Sequence, residues 1–457
     1  MANFATPRAP GLASAAALLC AWLLAAPLVA QENPAVIPIL PFPTQTRTLA
    51  NGLNVIVVPM PSDGLVAYWT IVRTGSRDEY EAGRSGFAHF FEHMMFRGTE
   101  RYPPDEYNRV MTTIGANSNA YTTDDHTAYH AAFAAEDLEQ IMDIEADRFQ
   151  NLSYAEGAFQ TEAGAVYGEY RKSRTEPDFA LYEDVMGAAF ERHPYGHTTL
   201  GFERDIAAMP TLYDYSREFF SRYYRPDNTV VLIVGDVTPG NVWPLIEKHY
   251  GGWQRGYVAP AIPVEPEQTA ERRINVAYDG QTLPILAVAY KLPVYDPGDR
   301  VRVAADLFAD LAFGETSDVY ARLVLDEQVV ESLDAGASYN RDPGLLEIYV
   351  RIKDPAKVDY VLGAIDETVA TFREAPPDAA RLADLKRRLR YGFLMGLQTP
   401  EAVAGRVAQF VALSGNLSGL DRLYATYAAI TPEDVHAAAE QYLRTERRTV
   451  GVLRSRP

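Results

Sequence analysis

The chain has 457 residues, 47% of them hydrophobic, which excludes wholesale disorder and suggests two or three domains. Against 42 Lys and Arg stand 61 Asp and Glu, a formal charge of −19, which argues against nucleic acid as the main partner. Cys20 is the only cysteine, so an intramolecular disulfide and any zinc site built on two or more thiolates are excluded, and a metal here must rest mainly on histidine and carboxylate.

Arg8 is the only charge before Glu32, and the stretch Leu12 to Ala30 is mostly apolar and ends in Pro27–Leu28–Val29–Ala30 before Gln31. A weakly positive start, an apolar core and a small residue at the cut predict a cleaved signal peptide over residues 1–30 and export, in a bacterium to the periplasm. A membrane anchor is the alternative, but the run is near the lower length limit for a span. Leu19 stands where a lipidated cysteine needs a small neighbour. Cleavage would remove one Arg, take the charge to −20 and leave no cysteine, so stability must come from packed cores.

Residues 53–59 and 65–73 are β-branched runs joined by Pro61–Ser62–Asp63–Gly64, which predicts a hairpin. Helices are expected over 84–97, 104–113, 136–150, 153–173 and 211–224, then a strand over 229–235. Residues 256–270 hold three prolines and no periodicity, and are expected to link a first half (31–255) to a second (271–457). The second half opens with strands near 273–279 and 284–291 and closes with a helix at 432–443 and a strand at 449–453. The endings of the halves look alike: Tyr223–Tyr224–Arg225 precedes TVVLIVG, and Tyr442–Leu443–Arg444 precedes TVGVL. A helix-to-strand ending that recurs about 220 residues on suggests a duplicated domain. Mixed elements without strict βαβ alternation favour an α+β fold.

The chemistry concentrates in His89–Phe90–Phe91–Glu92–His93. On a helix, positions i and i+4 share a face, so His89 and His93 can point two imidazoles at one ion. Glu92 projects beside them, close enough to take a proton from water activated there. This is the H-x-x-E-H arrangement, the inverse of H-E-x-x-H. A catalytic zinc needs a third protein ligand. Glu162 and Glu169, seven apart on the expected helix 153–173, share a face; one could ligate and the other could support a ligand from behind. The other histidines carry less weight. Pro194 and Gly196 argue against a helix between His193 and His197, and His126 and His130 would sit about 13 Å apart on a strand. Met94 and Met95 are expected in the core.

GFAHFFEHMMFRGTERYP at 86–103 resembles the signature of the pitrilysin/insulinase zinc metallopeptidases, which include the mitochondrial processing peptidase. In that family a glutamate about 75 residues after the motif is the third zinc ligand, with another glutamate seven residues before it. Glu169 lies 76 positions after His93, and Glu162 fills the earlier place. The resemblance thus implies one Zn²⁺ per chain on His89, His93 and Glu169, with Glu92 as general base and Glu162 supporting the ligands. Residues 115–122 resemble the family's edge strand, which pairs with substrate backbone, implicating Asn117, Asn119, Ala120 and Tyr121 in binding. His193–Pro194–Tyr195–Gly196, Tyr224 to Asn228 and Gly235–Asp236 are further family-like landmarks. The implied architecture is two similar α+β domains, each a mainly antiparallel sheet packed with helices, forming half of a clamshell.

One departure is informative. Active members carry, in a later domain, an arginine followed seven residues on by a tyrosine, both binding substrate across from the zinc. Here Val324 and Glu331 stand at those positions, and neither can donate a hydrogen bond to a substrate carbonyl or oxyanion. The expectation is a zinc-bearing peptidase subunit acting on peptides or unfolded segments, paired with a homologous subunit that lacks the zinc motif and supplies the missing pair. A homodimer is the alternative partnership. A non-catalytic scaffold and a peptide-maturation enzyme are the alternative functions.

Overall fold

The structure, a computed structural model, describes residues 38–456. The expected signal peptide lies outside them. Among the described residues no helix is long and apolar enough to cross a membrane.

Two sheets organise the chain. The first has six strands: β1 (Gln45–Thr48), β2 (Asn54–Pro59), β3 (Leu65–Val72), β4 (Asn117–Thr122), β5 (Thr127–Ala134) and β6 (Thr229–Gly235), in the order β1-β2-β6-β3-β5-β4. The second has five: β7 (Arg272–Tyr278), β8 (Ile285–Lys291), β9 (Val330–Ala337), β10 (Leu345–Ile352) and β11 (Arg448–Ser455), in the order β7-β11-β8-β10-β9. Each closing strand, β6 or β11, lies parallel to one strand, β2 or β7, and antiparallel to the strand that follows it in the chain, β3 or β8. All other pairings are antiparallel. The two sheets therefore share one topology, with β1 added to the first, as the repeated helix-to-strand ending suggested.

The hairpin expected between β2 and β3 does not form. β6 is inserted between them, pairing Ile56 with Leu232 on one side and Trp69 with Leu232 on the other. The physical reason is burial. All seven residues of β6 are buried, so this strand takes a central place with neighbours on both sides. Residues 60–64 instead cross two strand spacings, about 10 Å.

The halves exchange helices. Helix Pro177–Ala189, from the first half, packs on β7, β8 and β11, where Leu181 and Val185 meet Ile285, Ala287 and Leu453. Helix Pro400–Ser414, from the second half, packs on β3 and β6, where Val403, Val407 and Val411 join Trp69, Ile71 and Leu232. Gly451 makes the first contact possible, because a Cβ there would lie 2.5 Å from Val185 Cγ2. Residues 256–267 form no helix or strand. Within them, the Glu265 carboxylate accepts the backbone N–H groups of Glu191, Arg192 and His193 and lies 3.6 Å from Lys291 Nζ.

Candidate active site

The motif forms a short helix, Phe87–Met94, on one face of the first sheet. Phe87, Phe90, Phe91 and Met94 are buried in the core, and Phe91 stacks on Phe219 at 5.3 Å. This packing turns His89, Glu92 and His93 toward the opposite side. The helix starts at Gly86, whose φ of 91° is left-handed and whose place against Leu200 O leaves no room for a Cβ. Its first amides are satisfied from outside: the buried Glu79 carboxylate accepts Gly86 N–H at 2.7 Å and Ala88 N–H at 2.6 Å.

Helix Glu156–Ser173 lies alongside and brings both candidate glutamates to the site. Glu169 Oε2 is 3.7 Å from His89 Nε2 and 3.4 Å from His93 Nε2. These three side chains are the one group among the described residues whose ligand atoms converge closely enough to hold a metal. Ligands bonded to zinc at 2.0–2.1 Å in a tetrahedron stand about 3.4 Å apart, so the spacing and the donor set of two imidazoles and a carboxylate fit zinc. Glu169 is 43% exposed at its side chain, which leaves an open approach. Glu162 stands behind His93. Its carboxylate is 2.9 Å from His93 Nδ1 and accepts Arg97 Nε–H at 2.7 Å and a second bond from Arg97 Nη2. With Nδ1 so engaged, His93 presents Nε2 to the site.

Electrostatics follow this geometry. Hydrogen bonds to Glu162 and Glu169 raise His93 to about 9. Burial, then the neighbouring His93, lowers His89 to about 4. The Glu162 carboxyl is lowered by His93 and then Arg97, and the Glu169 carboxyl by His93. Burial raises the Glu92 carboxyl, opposed by a hydrogen bond from Thr122 Oγ1 at 2.8 Å. A cavity of about 370 Å³ opens beside Glu92 and His93, lined also by Phe96, Arg97, Pro104 and Asn108.

β4 is the last strand of its sheet and pairs only with β5. Asn117 and Asn119 are exposed, Ala120 is turned into the core, and Tyr121 is half-buried, edge-on to Trp69 at 6.1 Å. Of the four expected substrate contacts, Ala120 can offer only its backbone. In the second half, Val324 packs against the core and Glu331 is exposed on β9. Three residues of the site were not singled out from sequence: Glu79, Arg97 and Thr122. Arg97 and Thr122 do lie within the motif and edge-strand stretches, where a cation and a hydroxyl beside acids were the available signals.

An α+β chain that sets an H-x-x-E-H helix against a glutamate-bearing helix has the site of the inverted metallopeptidase class. Comparison with known proteins agrees. Residues 55–203 match the family Insulinase (Peptidase family M16), and residues 212–389 match the Peptidase M16 inactive domain. The chain belongs to the M16 peptidase family. It is similar to the zinc protease PqqE of Helicobacter pylori, with 28% identity over 90% of this chain and 92% of that one. It is also similar to the mitochondrial-processing peptidase subunit beta of Lentinula edodes, with 24% identity over 88% of this chain and 87% of that one. The crystal structure of a protease from Helicobacter pylori superposes with a TM-score of 0.84 at 26% identity, covering 90% of this chain and all of that one.

Proposed function

We propose that this chain is an exported zinc endopeptidase subunit that hydrolyses peptides or unfolded protein segments. The observation that carries this reading is the convergence of His89, His93 and Glu169 at metal-ligand spacing, with Glu92 on the same helix face. When bound there, zinc would supply Lewis acidity to the scissile carbonyl and to water. The chain's own residues do the rest. Glu92 takes the proton of the attacking water and returns it to the leaving amine. Glu162 and Arg97 keep His93 oriented. The free edge of β4 receives the substrate as an added strand, so backbone recognition dominates.

A homologous subunit completes the substrate site in this reading. Its support is the pair Val324 and Glu331, which offer no donor where active relatives carry arginine and tyrosine, and the similarity to a protein named as a subunit. Export rests on the composition of residues 1–30. The match of residues 212–389 to an inactive domain favours one second reading, a binding subunit without turnover. The test is cleavage of a long quenched peptide by the purified chain, alone and with its homologue, with chelator and with zinc restored. Chelator-sensitive cleavage that rises when the homologue is added supports the reading. Full activity from the lone chain removes the partner, and chelator-insensitive cleavage removes the metal.

A further inference from the structure

We propose that Thr122 is a positioning residue that aims the Glu92 carboxylate, so that the edge strand which receives substrate also orients the base. The inference rests on the peptidase reading and concerns a residue that carries no metal. Thr122 Oγ1 donates to Glu92 Oε2 at 2.8 Å, and among the described residues no other hydrogen bond reaches that carboxylate. A glutamate on a short helix would otherwise rotate about its side-chain bonds. Held at Oε2, it presents Oε1 for the water proton. Thr122 keeps its own proton throughout and takes no part in the transfer.

The donor is itself fixed. A threonine in a strand has restricted χ1 freedom, and Thr122 pairs with Thr127 at the end of β4. The turn that follows is closed by Thr123 N–H to His126 O at 2.8 Å. Asp125 in that turn accepts Tyr195 O–H at 2.8 Å and Arg341 N–H at 3.1 Å, so a loop of the second half anchors it. Side chains alternate along β4, and Thr122 shares the face of the core-directed Ala120 on the zinc-motif side, opposite Tyr121. Strand addition and base orientation thus use one rigid element, and catalytic groups are held best on such elements.

The test uses the wild type, Thr122→Val and Thr122→Ser in whichever assembly shows turnover, with zinc content and thermal midpoint measured alongside. Valine keeps the branched shape and removes the donor. The expected result is a kcat lower by about 10- to 100-fold in Thr122→Val. KM and zinc content stay at wild-type values, and Thr122→Ser restores most of the rate. Wild-type kcat in Thr122→Val overturns the proposal. So does a raised KM with unchanged kcat, which would mean that the hydroxyl touches substrate. Lost zinc, a lowered thermal midpoint or failed rescue by serine overturns it in favour of a structural role. Zinc-loaded wild type that turns over no peptide in any assembly overturns the peptidase reading itself.

Discussion

Replacing Glu162 with glutamine probes how the proposed metal site is held together. The Glu162 side chain is 6% exposed, so solvent screens it little. Its carboxylate serves two donors on opposite oxygens, His93 Nδ1 at 2.9 Å and Arg97 Nε at 2.7 Å. Glutamine keeps the volume but has one accepting oxygen; its amide N–H₂ must face either the Arg97 guanidinium or the His93 N–H. One charge-assisted hydrogen bond, worth about 1.5–3 kcal/mol, is therefore lost or inverted. The imidazole then loses its fixed orientation, and the cost falls on metal affinity. Loss of such a supporting contact lowers affinity by about 10- to 100-fold, or about 1.4–2.8 kcal/mol. Competition for zinc against a chromophoric chelator, at one pH for both proteins, measures this directly. Glu162→Gln with wild-type zinc affinity would refute the reasoning, because His93 would then be oriented without Glu162.

Two further predictions concern the fold. Glu347 on β10 is raised to about 7, by burial and then by Asp124, against a slight opposing bond from Tyr349. Its folded value lies above the ordinary 4.5, so the folded state keeps a proton that the unfolded state gives up, and stability falls as pH rises from about 4.5 to about 7. Glu347→Gln should be more stable than wild type by about 3 kcal/mol at pH 8 and nearly equal to it at pH 4 in urea denaturation. An equal gain at both pH values would count against a buried ionisation. Gly451→Val should destabilise by about 1–3 kcal/mol, because its side chain would drive into Val185 and Leu181 of helix Pro177–Ala189. A neutral result would mean that this helix does not sit on β11.

The helix of the H-x-x-E-H motif was legible because its pattern is local. His89, Glu92 and His93 fall within five residues, and helical geometry alone puts the two histidines on one face. Glu169 and Glu162 needed a second helix whose docking is not local; the seven-residue spacing and the family resemblance singled them out. The repeated ending before β6 and β11 was readable as local pattern, and it marks the shared topology of the two sheets. The hairpin between β2 and β3 failed because their partner, β6, lies some 170 residues on, and adjacency in sequence outweighed the unbroken burial of TVVLIVG. Helices Pro177–Ala189 and Pro400–Ser414 went unread for a related reason. The sheet that each one covers belongs to the other half of the chain. Thr122 looked like one more polar residue of an edge strand until its distance to Glu92 was known.

The central claim is that His89, His93 and Glu169 hold a zinc ion beside which Glu92 acts as base. Zinc content and peptide cleavage measured together on wild type, Glu92→Gln and His89→Ala test it most directly. The account predicts one zinc per chain in wild type and in Glu92→Gln, with turnover lower by at least about 100-fold in Glu92→Gln, and neither zinc nor turnover in His89→Ala. Cleavage by Glu92→Gln at the wild-type rate, or zinc retained in His89→Ala, would contradict it.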